Sequence, residues 1–266
     1  MKISYLGPKG TFSYEACSRY CKETDEMVEC KTIPDTIMML VNGEVEKAIV
    51  PIENSLQGGV TETIDMLIEN EDVYVIKELD LEIKQNLMAN ANYQLSEIEK
   101  VYSHTQAISQ CKKYLIENSL FDKVITVEST AGAAKKVSES NEHVACIGNI
   151  SCVKEYHLEL LEEGIQDNKS NKTKFWILSK EQNVSVNKKK MSMVFRVKNQ
   201  PGALYRVLKI FDDYHLNLTK IESRPAKTVL GEYVFLIDIE IGNTKEDEVI
   251  QLMRETGIFI RVLGKY

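Results

Sequence analysis

The sequence predicts an α/β protein built in two parts, and three observations carry that prediction. From residue 1 to about 180, short β-branched runs alternate with helical patterns, as in a layered sheet with crossover helices. The polar stretch Glu181–Lys190 has no apolar periodicity and reads as a linker. Beyond it, residues 191–266 read β-α-β-β-α-β, a ferredoxin-like order.

The elements follow in order. Lys2–Leu6 is a strand and Gly7-Pro8-Lys9-Gly10 a turn, after which Thr11 or Ser13 can cap a helix. Ala48–Ile52 is a short buried strand, and Pro51 places its end at a sheet margin. Thr61–Glu69 is a helix with Ile64, Leu67 and Ile68 on one face. Val101–Ser103, Val124–Val127 and Val144–Ile147 are further strands. Helices over 105–118 and 130–139 lie between them, the second capped by Ser129 or Thr130. The alternation implies a largely parallel sheet, whose binding crevice lies beyond the carboxyl ends of the strands.

In the second part, Met191–Val197, Leu216–Ser223, Glu232–Ile241 and Ile258–Leu263 are strands. Pro201–Tyr214 is a helix with proline at its start. Thr244–Thr256 is a helix with a threonine cap and Glu246, Asp247 and Glu248 in its first turn, where the macrodipole favours acids.

Composition narrows the function. The 266 residues are 43% hydrophobic and 27% charged, an ordinary globular balance. With 33 Lys+Arg against 40 Asp+Glu, the net charge of −7 argues against nucleic acid or anionic membrane as a partner. Lys188-Lys189-Lys190 reads as part of a solvated linker. No apolar stretch after Met1-Lys2 is long enough for a signal peptide, and none approaches a membrane span, so a cytoplasmic location is expected. The six cysteines lack paired CxxC spacing; Cys17 and Cys21 share a helix face but have no neighbouring histidine. Reduced thiols and no metal are the expectation.

Four segments are rich in small polar groups beside glycine or proline. They are Gly7–Ser13, Pro51–Gly59, Ser103–Gln106 and Asn171–Phe175. The first three follow predicted strands, where free amides and hydroxyls suit a carboxylate or phosphate. Taken singly, each reads as a turn or cap. Neither GxxxxGK[ST] nor GxGxxG occurs, so no nucleotide cofactor is expected. His104 has no recognisable partner and reads as structural or polar-lining; Glu53 is the only carboxylate inside these segments.

In order along the chain, Tyr5–Ser13, Pro51-Ile52-Glu53-Asn54-Ser55, Ser103-His104-Thr105-Gln106-Ala107, Ile165-Gln166-Asp167 and Asn171–Phe175 resemble prephenate dehydratase. Beyond the linker, Pro201-Gly202-Ala203-Leu204 and Ile221-Glu222-Ser223-Arg224-Pro225 resemble the ACT regulatory domain attached to that enzyme.

The resemblance implies a two-lobed, periplasmic-binding-protein-like catalytic domain over 1–180, with lobes of about 1–80 plus 161–180 and 81–160. A 181–190 linker and a 191–266 ACT domain complete the implied organisation. The implied reaction removes water and CO2 from prephenate to give phenylpyruvate, with no cofactor. Thr173 takes the place of the family's catalytic threonine, while Thr11, Asn54, Ser55, Gln106, Lys174 and Phe175 are expected to bind substrate. Lys174 stands where the family usually has arginine, keeping the charge and losing the planar two-donor fork. L-phenylalanine is the implied effector, held by Gly202, Ala203, Leu204, Glu222, Ser223 and Arg224 between regulatory domains of a homo-oligomer, a dimer of dimers. The alternatives are arogenate dehydratase, which acts on the amino analogue, and a non-catalytic amino-acid sensor. A decarboxylase that leaves its product non-aromatic is disfavoured by Thr173 and the attached ACT domain.

Overall fold

The computed structural model describes residues 1–56, 58–182, 188–225, 232–242 and 245–266. In chain order, β1 is Lys2–Leu6, α1 Phe12–Tyr20, β2 Glu26–Cys30, α2 Ile33–Val41 and β3 Lys47–Asn54. Then come β4 Gly58–Gly59, α3 Thr61–Glu69, β5 Tyr74–Glu82, β6 Asn86–Ala89 and β7 Lys100–Ser103. The run α4 Thr105–Gln110, α5 Lys112–Glu117, β8 Val124–Thr126, α6 Thr130–Ser138 and β9 Val144–Gly148 follows. After α7 Ser151–Tyr156, β10 Glu159–Glu162 and β11 Lys172–Ser179, the chain continues with β12 Lys190–Lys198, α8 Ala203–Asp213 and β13 Leu218–Pro225. It ends with β14 Glu232–Glu240, α9 Glu246–Glu255 and β15 Phe259–Lys265.

By internal contacts the chain divides into two units, residues 1–60 with 79–175 and residues 61–78 with 176–266. One sheet has the strand order β2-β1-β3-β11-β5, with β4 against β3. The second runs β10-β6-β9-β7-β8. Pairing is parallel at β2-β1-β3 and at β9-β7-β8, and antiparallel where β6 meets β9 and β10. The parallel expectation therefore holds for part of each sheet.

The second sheet shows why its strands read as continuous apolar runs. Leu87, Ala89, Val101, Ala145 and Ile147 pack on one face with Ala107, Cys111 and Leu115 of the α4–α5 region. The alternate residues Met88, Tyr102, Val144 and Cys146 pack on the other with Ala133, Ala134 and Val137 of α6. A period of two sends neighbours to opposite faces, and helices cover both faces, so both alternating sets are mainly apolar.

Three local expectations are corrected. The 105–118 helix breaks at Cys111 into α4 and α5, because Cys111 takes φ −115°, ψ +18°. Pro51 lies inside β3, beyond the residues that pair with β1, so its missing donor costs no bond in that ladder. Helix α8 starts at Ala203 because Gly202, at φ +75°, turns the chain after Pro201. The predicted cap Thr244 lies outside the described residues.

In the second unit, the sheet order β13-β14-β12-β15 is antiparallel throughout and matches the ferredoxin-like connectivity. Met191, Met193 and Phe195 on one face of β12 meet Val207 and Phe211 of α8 and Val249, Ile250 and Met253 of α9.

Candidate active site

The first unit holds a cavity of about 240 Å³ lined by residues of both sheets and their connecting loops. Asn54 ends β3, while His104 directly follows β7 and Glu128 comes just after β8. These positions agree with a crevice at strand carboxyl ends.

Helices supply much of the remaining wall. Phe12 opens α1, Gln106 and Ala107 lie in the first turn of α4, and Ser129 and Thr130 sit at the start of α6. The sequence dictates these starts through caps: Thr11 Oγ1 accepts from Tyr14 N at 3.2 Å, and Ser129 Oγ accepts from Gly132 N at 2.9 Å. Caps of this kind contribute about 1 kcal/mol each. Three helix N-termini thus bring partial positive charge to one cavity. Among the described residues no Lys or Arg lines it, and Glu128 is its one carboxylate. Anionic substrate groups would be met by amides and hydroxyls.

Gly10 makes the α1 entry possible. Its φ is +87°, and a Cβ there would meet Cys152 Sγ at 2.9 Å. The turn is pinned to the second lobe by Cys152 Sγ donating to Gly10 O at 3.2 Å and Tyr156 OH donating to Lys9 O at 3.0 Å.

The polar centre links Asn54, Ser55, Asn171 and Thr173. Asn54 Nδ2 donates to Thr173 Oγ1 at 2.8 Å and to Asn171 Oδ1 at 3.2 Å, while its Oδ1 accepts from Leu56 N at 3.0 Å. Ser55 Oγ donates to Asn171 Oδ1 at 3.2 Å and accepts from Lys172 N at 3.0 Å. Since Thr173 Oγ1 is an acceptor in its bond with Asn54, its own proton can be donated elsewhere.

Of the expected substrate residues, Asn54, Gln106 and Thr173 line the cavity, and Ser55 adjoins it through Asn171. The Thr11 hydroxyl is engaged at the helix start, donating to Leu6 O at 3.3 Å as well as capping. Lys174 and Phe175 follow Thr173 on β11 but are not among the lining residues, and Phe175 is buried. Adjacent strand residues point to opposite faces, so Lys174 faces away from Thr173.

His104 caps α4, its Nδ1 accepting from Gln106 N at 3.3 Å, which matches its polar-lining reading. Sequence reasoning placed Asn171 in the Asn171–Phe175 segment and Ser129 and Thr130 only as caps, and it missed Gln85 and Glu128 as site groups. No local pattern marks them, because they converge from separate loops. Among the described residues, no cluster of three His, Cys, Asp or Glu side chains is arranged to hold a metal ion.

In the second unit, Gly202 precedes α8 and Ala203 and Leu204 open it. Glu222 is ion-paired with Lys220 at 3.4 Å. Arg224 is buried, pairs with Asp65, and donates to Thr61 O at 2.9 Å. Its guanidinium is therefore committed within its own chain.

A two-lobed α/β domain with a polar inter-lobe cavity, followed by a ferredoxin-like domain, defines a periplasmic-binding-protein-like enzyme with an ACT domain. The prephenate dehydratase family profile matches residues 3–183 and the ACT domain profile residues 192–251. A prephenate dehydratase of Bacillus subtilis (strain 168) is 39% identical over 280 residues, covering 100% of this chain and 98% of its own. The crystal structure of an Arthrobacter aurescens prephenate dehydratase in complex with L-Phe superposes with a TM-score of 0.89 at 30% identity, covering 100% of this chain and 90% of that one. A chain described as GqqA, a novel type of quorum quenching acylase, gives the same TM-score at 25% identity, covering 100% and 97%. Fold alone does not set activity. The chain belongs to the prephenate dehydratase family, and it is a carbon–oxygen lyase.

Proposed function

We propose that this chain converts prephenate to phenylpyruvate in L-phenylalanine biosynthesis and that L-phenylalanine controls it. The observation that carries the reading is the full-length likeness to prephenate dehydratases, with Thr173 in an inter-lobe cavity. Residues 1–180 form the catalytic domain, with lobes of about 1–80 plus 161–180 and 81–160. Residues 191–266 are the regulatory domain, joined through a 181–190 linker of which 183–187 lie outside the described residues and Lys190 is already the first residue of β12.

The chemistry needs no external electron carrier. Cleavage of the ring–carboxylate bond releases CO2, and its electron pair enters the ring. The ring hydroxyl departs from the opposite carbon, and one proton completes it as water. Aromatisation drives the step. The Thr173 hydroxyl, oriented by Asn54, donates to the departing oxygen as negative charge develops there. Asn54, Ser55 and Gln106 position the substrate, and helix N-termini receive its carboxylates. Thr11 and Phe175 hold the walls, and Lys174 contributes charge from beside the cavity.

Control requires phenylalanine to bind one global state better than another. Gly202, Ala203 and Leu204 at the start of α8, with Glu222 and Ser223 from a partner copy, form the effector site, and Arg224, held by Asp65 and Thr61 of its own chain, fixes the strand end that carries them. The edge position of β13, with exposed Ile221, supports assembly of regulatory domains within a homotetramer. The six cysteines are all free thiols, in keeping with a cytoplasmic location, and no helix of the described residues is long and apolar enough to cross a membrane.

The test is direct. Purified protein mixed with prephenate should give phenylpyruvate, followed by its absorbance in alkali. No product from prephenate, with phenylalanine formed from arogenate instead, would replace the reading with the amino-substrate one.

A further inference from the structure

Gln85 is 3% exposed, lines the cavity, and carries a buried side-chain oxygen with no hydrogen-bond partner. Buried polar atoms are almost always satisfied, so one left open in a cavity wall points to a missing partner. The rest of the residue is fixed. Its Nε2 donates to Gln110 Oε1 at 3.0 Å, its backbone N–H donates to Gln166 Oε1 at 2.9 Å, and its carbonyl accepts from Ile165 N at 2.9 Å. Asp167 N donates to Gln110 O at 2.7 Å. The Ile165-Gln166-Asp167 motif therefore straps Gln85 and Gln110 together. Such rigidity suits a group that must present one acceptor in one direction.

We infer that Gln85 Oε1 accepts a hydrogen bond from the ring hydroxyl of the substrate. This rests on the prephenate reading above. At neutral pH both prephenate carboxylates are ionised and its keto group only accepts, so the hydroxyl is its one donor. An acceptor there would orient the hydroxyl so that a lone pair faces the Thr173 proton. Gln110 is the positioning residue, since its amide orients that of Gln85.

The experiment compares two ligands that differ in this hydroxyl and in the ring carboxylate lost with it. Prephenate carries both and phenylpyruvate neither. An amide oxygen accepts from the hydroxyl and gains nothing from a carboxylate, so a selective loss reports the hydroxyl. Wild-type turnover of prephenate is measured first; its absence removes both the functional reading and this inference. Affinities are then measured by calorimetry in the full-length chain, with Thr173→Ala present so that prephenate is consumed about a hundred-fold more slowly. Gln85→Met should weaken prephenate about ten-fold, the scale of one lost hydrogen bond, and leave phenylpyruvate within about two-fold. Gln110→Met, which removes only the orienting partner, should show the same selectivity with a smaller loss, and it decides the matter if Gln85→Met does not fold. With wild-type turnover intact, equal weakening of both ligands, or no change in either, overturns the contact with the hydroxyl and leaves the functional reading standing.

Discussion

Asn54 Nδ2 and Thr173 Oγ1 lie 2.8 Å apart, although 119 residues separate them in the sequence. The bond spends Thr173's acceptor capacity on an amide and leaves its proton for another oxygen. Hydrogen bonds in series polarise one another, so the donation strengthens the threonine as a donor.

Thr173→Ala should therefore lower kcat by about two orders of magnitude or more, the scale of one positioned transition-state donor. Substrate affinity should change far less, because the hydroxyl acts mainly while the C–O bond breaks. Asn54→Ala should cost about ten-fold, and the double variant should lose less than the product of the singles. Steady-state kinetics on the four proteins measures this, and near wild-type turnover in Thr173→Ala would sink the assignment.

Lys174 lies on the strand face opposite Thr173 and outside the cavity lining, so its proposed contribution to binding is charge acting at a distance. Lys174→Met should raise KM about two- to five-fold with kcat nearly unchanged, an effect that added salt reduces. Lys174→Arg should be tolerated. Equal salt dependence of KM in the Met variant and wild type would show that the lysine does not act on the substrate.

Buried thiols predict an alkaline limit to stability. In unfolded chains a thiol ionises near pH ~8.5. In the folded protein burial pushes Cys111 and Cys152 up to about 12, with nearby Asp167 and Glu155 adding to it respectively. Raised folded-state values contribute stability that is complete below the unfolded pKa and is lost as pH rises toward about 12. Tm should fall between about pH 8 and about pH 10, and replacing Cys111 by Ser should flatten that fall. A pH-independent Tm over this interval would contradict it.

Ser223→Leu should abolish inhibition by phenylalanine yet keep basal turnover, because Ser223 lies on exposed β13, outside the catalytic unit. Gly202→Val should do the same at a further stability cost, since φ at Gly202 is +75° and a Cβ would meet Arg206 Nη1 at 3.1 Å. Phenylalanine titration of activity, with calorimetry on the intact chain, reads both. Unchanged inhibition in Ser223→Leu would move the effector site elsewhere.

Asp65 neutralises Arg224, and both are largely buried. Asp65→Asn should destabilise the chain by about 3 kcal/mol, as expected when one partner of a buried pair is removed. Chemical denaturation measures it, and a change below about 0.5 kcal/mol would show the pair to be dispensable.

Whatever local physics encodes was legible along the chain. The strand Lys2–Leu6 and the helix Thr61–Glu69 stand where their patterns place them, because apolar spacing fixes the buried face. The Ser129 cap of α6 was legible as well. So was the ferredoxin-like order, since alternate residues of Met191–Val197 must enter one core. Which distant groups meet is settled by the folded arrangement alone. Asn54 finds Thr173, and Gln166 holds the backbone of Gln85, through bonds that span 119 and 81 residues. Glu128 and Gln85 carry no local signal, because a glutamate after a strand or a glutamine before one is ordinary. Their role arises when two sheets bring loop ends to one cavity, and polar atoms there lose water that only each other, or a ligand, can replace.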